Sequence, residues 1–363
     1  MINVCHIVSG DLWAGAEAMV VQLLRLLVRY DDLEVSAILF NEGHLADQCR
    51  TLGVTTHVIP EKSSTNAQMI RAVRCIFGKE HVRIAHSHGY KENIIAYLAS
   101  RSKRDVRLVG TQHGMPEIHV KKATLKHRIT MNANFMVLAK CFQHIVAVSE
   151  DMHTQLVQQY GFPEEKLTVI HNGISITEPC PGSNGKKDFV IGSSGRLFPV
   201  KDYDLMVEIA RKVLSHSDRI SFVLAGDGPE QGRIREKIRK YGLEKSFILR
   251  GFVPDVTEFY QSLDLYLNTS VHEGIPLSVL EAMSYGLPVI APKVGGLAEI
   301  VENGVDGYLV EGRRPDEYAQ RCITLHRDDG LRKDIGSAAR RKICSQFSSD
   351  QMAVSYYRLY TSV

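Results

Sequence analysis

Residues Leu263 to Pro292, LDLYLNTSVHEGIPLSVLEAMSYGLPVIAP, carry the pattern that decides the fold of the second half of the chain. The stretch predicts a strand, a short loop, a helix and a second strand. Pro276 marks the start of the helix, because proline lacks an N–H and is tolerated only in a helix's first turn. Gly286 ends the helix. Glu273 is therefore predicted to lie in the loop and Glu281 in the helix.

The start of this helix is predicted to bind an anionic ligand. The amide groups from Gly274 to Ser278 would lack partners within the helix, and the helix dipole adds a partial positive charge there. Helical side chains lean toward the N-terminus, so Glu281 can reach a ligand bound at that end. Because carboxylates repel phosphate, Glu273 and Glu281 are expected to accept hydrogen bonds from sugar or ribose hydroxyls. Taken alone, either glutamate could be a solvated charge.

Length and composition indicate a soluble protein with two α/β domains. The chain has 363 residues, 44% of them hydrophobic and 23% charged, which is ordinary for a globular protein but long for one core. It has no apolar run of about 18 residues, and MINVCHIV lacks the features of a signal peptide, so a cytoplasmic location is expected. Its seven cysteines form no C-x-x-C pair, which argues against a zinc site or a disulfide framework.

Basic residues are concentrated between Arg71 and Thr130, where 13 lysines and arginines accompany 4 acidic residues in a chain of net charge +3. Such a segment is either a solvated face or a contact for anionic lipid or phosphate. The stretch Lys121 to Gln143, basic and then apolar, has the same two interpretations: a helix packed on the sheet, or a peripheral membrane contact. Nucleic acid is not an expected partner, because no stacking surface or recognised binding motif accompanies the charge.

Strands alternate with helices through the first half, a pattern typical of parallel sheets with helices on both faces. The predicted strands are INVCHIV, EVSAILF, THVIP, IAHSH, RLVGTQH and HIVAVS. The first turn, SGDLWAG, contains Gly10 and Gly15 but lacks the G-x-G-x-x-G spacing of dinucleotide-binding proteins. His86, His88 and His113 fall at strand ends, where such sheets bind ligands. No matching carboxylate or cysteine spacing accompanies them, so hydrogen-bonded histidines are favoured over a metal site.

A second domain is expected after the Pro- and Gly-rich stretch from Glu178 to Asp188. The segment GRLFPVKD places Arg196 and Lys201 at a strand-end turn, where two cations can hold a diphosphate. Asp202-Tyr203-Asp204 has the form of a metal-binding D-x-D motif, but its position favours N-capping of a helix. The last helix, DQMAVSYYRLY, is expected to extend back across the first domain.

Four segments of the second half resemble, in their order and spacing, the retaining glycosyltransferases of glycosyltransferase family 4, the group 1 superfamily with the GT-B fold. These segments are GRLFPVKDYDLMVEIA, LAGDGPE, LRGFV and HEGIPLSVLEAMSYGLPVIAPKVGGLAEIVENGVDGYLV. The resemblance implies two Rossmann-like doubly wound α/β domains facing a central cleft. Residues 1–180 would form the acceptor-side domain and residues 181–345 the donor-binding domain. Residues 346–363 would form a helix returning to the first domain.

The resemblance also implies roles for individual residues. Glu273 would contact the donor sugar and Glu281 the ribose hydroxyls. The residues implied in catalysis are His113, Arg196, Lys201 and Glu273. The residues implied in donor binding are Gly15, Arg196, Lys201, Val253, Glu273, Gly274, Ile275, Pro276, Leu277 and Glu281. One departure is Ala14-Gly15, where the family usually has a double glycine.

The implied activity is transfer of a hexosyl sugar, with retention of configuration, from a nucleotide-diphosphate sugar to a hydroxyl acceptor in polysaccharide or glycolipid synthesis. A UDP-sugar is the favoured donor, the acceptor is a sugar or a lipid-linked molecule, and neither a metal nor another cofactor is expected. If the basic region binds anionic lipid, the protein would act at the inner face of the plasma membrane. The alternatives are a nucleotide-sugar epimerase of the same fold, a nicotinamide-dependent dehydrogenase, and a non-catalytic sugar-binding protein.

Overall fold

The computed structural model describes residues 1–11, 13–103, 105–115, 125–176 and 188–363, with the backbone alone for 125–128. The chain forms two compact units. The first consists of Met1–Ser175 and Ser349–Val363, and the second of Ile176–Ser348. The Ser349 amide donates to the Ile174 carbonyl at 2.8 Å, so the chain re-enters the first unit beside the point where it left. The division falls before the boundary expected at residue 180, and most of the predicted linker lies outside the described residues.

The first unit is built on one sheet of seven parallel strands. They are β1 Ile2–Val8, β2 Leu33–Leu39, β3 Thr55–Val58, β4 Ile84–Ser87, β5 Arg107–Gln112, β6 His144–Ala147 and β7 Leu167–Val169. Their order is β3-β2-β1-β4-β5-β6-β7, so the direction of winding reverses at β1, as in a doubly wound fold. The sequence interpretation missed β7, since three residues are too few to show a period.

Helices connect these strands in the first unit. They are α1 Gly15–Leu27, α2 His44–Thr51, α3 Asn66–Lys79, α4 Tyr90–Ser100, α5 Leu125–Cys141 and α6 Glu150–Tyr160. Local sequence rules explain several of their ends. A capping box between Thr65 and Gln68 starts α3, and Gly161, with φ +65°, follows α6. The predicted helix from Lys121 is observed from Leu125, and its first four residues lie outside the described part.

The second unit has six parallel strands, β8 Phe189–Ser194, β9 Ile220–Ala225, β10 Phe247–Gly251, β11 Leu265–Leu267, β12 Val289–Pro292 and β13 Gly307–Val310. Their order is β10-β9-β8-β11-β12-β13, which is again doubly wound. The helices are α7 Tyr203–Leu214, α8 Gln231–Lys240, α9 Thr257–Gln261, α10 Leu277–Ser284, α11 Leu297–Ile300, α12 Pro315–Arg327 and α13 Asp329–Gln346. The predicted pair of doubly wound sheets is therefore confirmed.

The last helix, α14 Ser349–Ser362, belongs to the first unit. One face of it is buried there, and the two largest buried side chains on that face are Tyr356 and Tyr360, both 1% exposed. Across the described parts of the chain, every helix is too short or too polar to cross a bilayer.

The local structure around α10 follows the sequence prediction. Pro276 is the N-cap residue, so its missing N–H breaks no helical hydrogen bond. Leu280 and Ala282 are fully buried. Gly286 follows the helix with φ +75°, a backbone conformation that disfavours residues with a side chain. Glu273 consequently lies in the loop after β11, and Glu281 lies in the second turn of α10.

Candidate active site

The carboxyl edge of the second unit's sheet gathers most of the residues predicted to bind the donor. Because the strands are parallel, the residues that follow them lie along one edge. Arg196 and Lys201 follow β8, Val253 follows β10, and Glu273 follows β11. Gly15 and His113, the other strand-end residues predicted for the site, belong to the first unit and are described with it below.

Lys201 and Glu273 form a direct ion pair in the second unit, with Nζ and Oε1 2.5 Å apart. Two bonds between the loops after β8 and β11 hold the pair together. The Thr269 hydroxyl donates to the Lys201 carbonyl at 2.9 Å, and the Val271 amide donates to the Val200 carbonyl at 2.8 Å. The ammonium has three N–H donors, so it can bind a ligand oxygen while keeping Glu273.

The Glu273 carboxylate is also held by the loop in which it lies. The Ser270 hydroxyl donates to Oε1, the oxygen that faces Lys201, at 2.6 Å. Oε2 has no hydrogen-bond partner among the described residues. Two bonds on one oxygen thus fix the side chain and leave the other oxygen to accept from a ligand hydroxyl.

Arg196 is an exposed cation at this edge. Its guanidinium lies 5.0 Å from the centre of the Phe198 ring, and no carboxylate within the described ranges pairs with it. The loop after β9 fixes its backbone. The Leu197 amide donates to the Asp227 carbonyl at 2.8 Å, and a Cβ added to Gly226 would lie 1.9 Å from the Gly195 carbonyl oxygen. Arg196 therefore offers an uncompensated positive charge from a rigid turn.

The loop after β12 orients the peptides at the start of α10. The Gly296 amide donates to the Glu273 carbonyl at 3.1 Å. A Cβ added to Gly295 would lie 2.0 Å from that oxygen, and one on Gly296 would lie 2.1 Å from the Gly274 oxygen. In a trans peptide the N–H points opposite to the C=O, so the Gly274 amide faces away from the β12 loop. The amides of Gly274, Leu277 and Ser278 have no acceptor among the described residues, so they are open to donate to an anionic ligand.

Three other residues of this segment, Ile275, Pro276 and Leu277, are buried. Their side chains are packed inside the unit, so a ligand at this end would meet the Leu277 amide and not these side chains.

Glu281 is fixed by tyrosine. The Tyr260 hydroxyl donates to Oε2 at 2.7 Å, and the Ser194 hydroxyl, at the end of β8, lies 3.1 Å from the same tyrosine oxygen. Burial raises the pKa of the Glu281 carboxyl to about 7, and the bond from Tyr260 only partly opposes this shift. Near neutral pH the group therefore titrates, and its second oxygen accepts hydrogen bonds best when it is ionised.

The D-x-D motif is occupied by structural contacts. Asp202 has φ +41° and caps α7, accepting from the Leu205 amide at 3.3 Å. Its Oδ2 also accepts from Arg313 Nε at 2.8 Å, and Asp204 pairs with Arg233. The predicted N-capping is thus observed, and both carboxylates are neutralised by arginines.

Val253 lies two residues beyond β10 and is partly buried.

Gly15, in the first unit, is the first residue of α1, and a Cβ added there would meet no atom within 4 Å. Packing within the unit therefore does not require a glycine at position 15.

His113 lies at the carboxyl edge of the first unit's sheet, one residue beyond β5. His88 likewise lies one residue beyond β4, so both predicted strands end one residue early. His88 Nδ1 and His113 Nε2 are hydrogen-bonded at 3.1 Å, and burial lowers the pKa of His113 to about 4. His113 is therefore a neutral imidazole at physiological pH.

His6 and Tyr360 contact these histidines, and the sequence interpretation missed both of them. His6 lies in β1 directly opposite His86 in β4, and its ring contacts both His86 and His88. The hydroxyl of Tyr360, in α14, lies 2.6 Å from His86 Nδ1. A histidine between the apolar residues Cys5 and Ile7 of a strand was the available signal for His6. No local signal links Tyr360 to residues more than 270 positions away.

Comparisons with known proteins agree with this geometry. The "Glycosyltransferase Family 4" pattern matches residues 13–178, and the "Glycosyl transferases group 1" pattern matches residues 180–342. The chain is 30% identical to a D-inositol 3-phosphate glycosyltransferase of Geodermatophilus obscurus, over 78% of this chain and 67% of that protein. It is 25% identical to the UDP-Gal:alpha-D-GlcNAc-diphosphoundecaprenol alpha-1,3-galactosyltransferase of Escherichia coli, over 96% of this chain and 93% of that one.

Among solved structures, HepE of Anabaena in complex with UDP and glucose superimposes with a TM-score of 0.88 at 22% identity, covering 100% of both chains. A structure of TarM aligns with a TM-score of 0.82 at 14% identity, over 99% of each chain. At these identities the likeness establishes the fold. Together with the matched family patterns, it shows that the chain belongs to the group 1 glycosyltransferases of glycosyltransferase family 4, enzymes of GT-B fold that transfer sugar from a nucleotide sugar.

Proposed function

We propose that the chain is a retaining glycosyltransferase that moves a hexosyl group from a UDP-sugar to a hydroxyl acceptor, without a metal, in cell-surface polysaccharide or glycolipid synthesis. The observation that carries this proposal is the composition of one edge of the second unit's sheet. That edge holds the exposed cation Arg196, the Lys201–Glu273 ion pair, the open amides of α10 and the buried carboxyl of Glu281. Cations and amides suit a diphosphate, and carboxylates suit sugar and ribose hydroxyls. UDP is favoured because the Anabaena structures hold UDP and UDP-glucose.

The chemical requirement of such a transfer is stabilisation of the departing nucleotide. The bond between the sugar C1 and the phosphate oxygen breaks, and its electron pair stays on the diphosphate. The acceptor hydroxyl oxygen forms the new bond to C1 on the same face and gives its proton to that phosphate oxygen. Preorganised cations and amides lower the barrier because they meet the charge as it develops. Arg196, Lys201 and the start of α10 would supply this charge.

Nucleotide-dependent stabilisation of the pure protein tests the donor. At a concentration of 100 times the dissociation constant, a ligand raises the free energy of unfolding by about 2.7 kcal/mol. We expect UDP and one UDP-sugar to raise the free energy of unfolding in this way, and GDP, ADP and NAD to leave it unchanged. Stabilisation by NAD alone would favour a dehydrogenase. Conversion of the sugar without an acceptor would favour an epimerase, and an inverted product would contradict retention.

The pKa of Glu281 predicts how donor affinity depends on pH. If the ionised carboxylate binds the ribose hydroxyls, the competent fraction grows as the pH rises through about 7. UDP should then bind about tenfold more tightly at pH 8 than at pH 6. Titration calorimetry of wild type and Glu281→Gln measures this dependence, and the variant corrects for ionisation of UDP itself. Equal pH dependence in both proteins would remove Glu281 from the ribose site.

We also propose a lipid-linked acceptor at an anionic membrane surface. Support comes from exposed basic side chains of the first unit, among them Arg71, Arg101 and Lys103, and from the lipid-diphosphate substrate named for the Escherichia coli relative. Sedimentation with anionic vesicles at low salt, and not with neutral ones, is the expected result. Equal sedimentation with both kinds of vesicle, or with neither, would contradict it.

A further inference from the structure

Buried polar side chains in the first unit form one continuous chain of hydrogen bonds that ends at the partly buried His113. Its members, in order, are Tyr356, Thr111, His86, Tyr360, His6, His88 and His113. Two of them come from α14. His6, His86 and Thr111 lie within β1, β4 and β5, and His88 and His113 lie one residue beyond β4 and β5. We call this set the histidine chain. It links the C-terminal helix to a residue at the carboxyl edge of the sheet.

The first half of the histidine chain runs from α14 to β4. The Tyr356 and Thr111 hydroxyl oxygens are 3.0 Å apart, and Thr111 Oγ1 is 2.7 Å from His86 Nε2. On the other side of its ring, His86 Nδ1 lies 2.6 Å from the Tyr360 hydroxyl. Both ring nitrogens of His86 are therefore engaged.

The second half continues from Tyr360 to the sheet edge. The Tyr360 hydroxyl is 3.4 Å from His6 Nε2, which makes this the longest bond of the chain. His6 Nδ1 lies 3.0 Å from His88 Nε2, and His88 Nδ1 lies 3.1 Å from His113 Nε2. His113 Nδ1 has no hydrogen-bond partner among the described residues.

All four imidazoles are neutral at physiological pH. Burial lowers the pKa of His6 to about 3 and that of His113 to about 4. It also lowers the pKa values of His86 and His88 well below the usual range. A neutral imidazole has one N–H donor and one acceptor nitrogen, so each ring must donate on one side and accept on the other.

A divalent metal is the alternative occupant of this cluster, since nitrogens of His6, His86 and His88 lie within 4.8 Å of one another. Every ring nitrogen of these three residues is already hydrogen-bonded within the histidine chain. A metal bound by one nitrogen of each would have to replace at least two of those bonds. Hydrogen bonding accounts for the geometry without this exchange.

Burial of Tyr356 decides the direction of the bonds. This side chain is 1% exposed, and Thr111 is the only hydrogen-bond partner of its hydroxyl among the described residues. If Tyr356 only accepted, its own O–H would be buried without a partner, at a cost of about 1–3 kcal/mol. Tyr356 must therefore donate to Thr111, and the Thr111 hydroxyl then donates to His86 Nε2.

The remaining protons follow from this first donation. His86 donates from Nδ1 to Tyr360, and the Tyr360 hydroxyl donates to His6 Nε2. His6 donates from Nδ1 to His88, and His88 donates from Nδ1 to His113 Nε2. Every buried donor in the histidine chain is then paired, whereas the opposite direction leaves one unpaired.

We propose that the histidine chain fixes His113 in the tautomer that carries its proton on Nδ1, and that Tyr360 is a positioning residue for His113. Nε2 is then occupied by His88, and Nδ1–H is a neutral donor at the sheet edge. It suits a substrate oxygen that approaches this edge; this catalytic consequence rests on the proposed function, whereas the tautomer does not. A proton on Nε2 would offer the ligand an acceptor in its place.

The wild-type protein, without any ligand, provides the first test. Two-bond proton–nitrogen spectra of full-length protein labelled with ¹⁵N-histidine distinguish the two tautomers and the imidazolium, and a His113→Asn variant assigns the His113 signals. We expect one tautomer at pH 7, with Nδ1 protonated and Nε2 bare. A proton on Nε2, or on both nitrogens, would overturn the proposal.

Removal of one hydroxyl provides the second test. Tyr360→Phe keeps the ring but disconnects His6 from His86, so His6, His88 and His113 can reverse together. We expect loss of the single-tautomer spectrum of His113. Tyr357→Phe is the matched control, because that hydroxyl lies on the same helix but donates to Asp32 at 2.7 Å, outside the histidine chain. An unchanged His113 spectrum in folded Tyr360→Phe would overturn the proposal. If this variant does not fold, the tautomer observed in the wild-type spectrum confirms or overturns the proposal.

Turnover separates this inference from the proposed function. If only one His113 tautomer is competent for catalysis, an even mixture of the two in Tyr360→Phe lowers kcat about twofold. The UDP affinity of this variant should not change, because the proposed UDP-binding side chains Arg196, Lys201 and Glu281 lie in the other unit. A shifted tautomer with unchanged kcat would remove His113 from the chemistry and leave the tautomer assignment standing. Absence of UDP binding in the wild type would instead contradict the proposed function alone.

Discussion

Replacement of Lys201 by alanine is expected to lower turnover about 10²- to 10³-fold, the effect of removing one preorganised donor from a transition state. Lys201 is fixed by Glu273 on its side chain and by Thr269 on its carbonyl, so its charge is held in place before a ligand arrives. The variant loses both the cation and the restraint on Glu273. Steady-state kinetics with a UDP-sugar and the acceptor, once found, would measure the loss.

The fold should survive this substitution. Glu273 keeps the hydroxyl of Ser270 and lies at an edge that ligands and water can reach, so we expect the free energy of unfolding to fall by no more than about 1–2 kcal/mol. Lys212→Ala is the matched control, since Lys212 pairs with Asp316 in the same unit but lies in the last turn of α7, outside the loops at the carboxyl edge. Its turnover should equal that of wild type. Equal turnover in Lys201→Ala would remove Lys201 from the diphosphate site.

The stretch from Leu263 to Pro292 was readable because local rules determine it. Proline at a helix start and glycine at its end act within a few residues, so the positions of Glu273 and Glu281 followed directly. Parallel strands then place successive strand ends on one edge, which is why Arg196 could be assigned to the same edge from sequence alone.

Contacts between distant loops were not readable in this way. The pairing of Lys201 with Glu273 depends on the bond from Thr269 to the Lys201 backbone, which no spacing encodes. The same holds for His6 and Tyr360, which come together only because α14 returns to the first unit. Burial then gives these residues their neutral charge state, a property of packing and not of the residue type.

Gly296 shows how a residue without a side chain can determine the geometry of the site. Gly296→Ala should lower kcat/KM about 100-fold, because a displacement near 1 Å at a binding element has that order of effect. The new Cβ would lie 2.1 Å from the Gly274 oxygen, closer than any real Cβ contact. The first peptides of α10 must therefore move, and the Gly274 amide moves with them. UDP affinity by calorimetry should fall together with turnover.

Stability measurements separate this displacement from general unfolding. Overpacking at Gly296 should lower the free energy of unfolding by about 1–3 kcal/mol, which leaves a folded protein at assay temperature. Gly232→Ala is the matched control: Gly232 lies in α8 with nothing within 4 Å of an added Cβ, and alanine there should stabilise the helix by up to about 1 kcal/mol. Wild-type UDP affinity in folded Gly296→Ala would mean that the start of α10 does not hold the diphosphate. The charge on the leaving group would then have to be met by Arg196 and Lys201 alone.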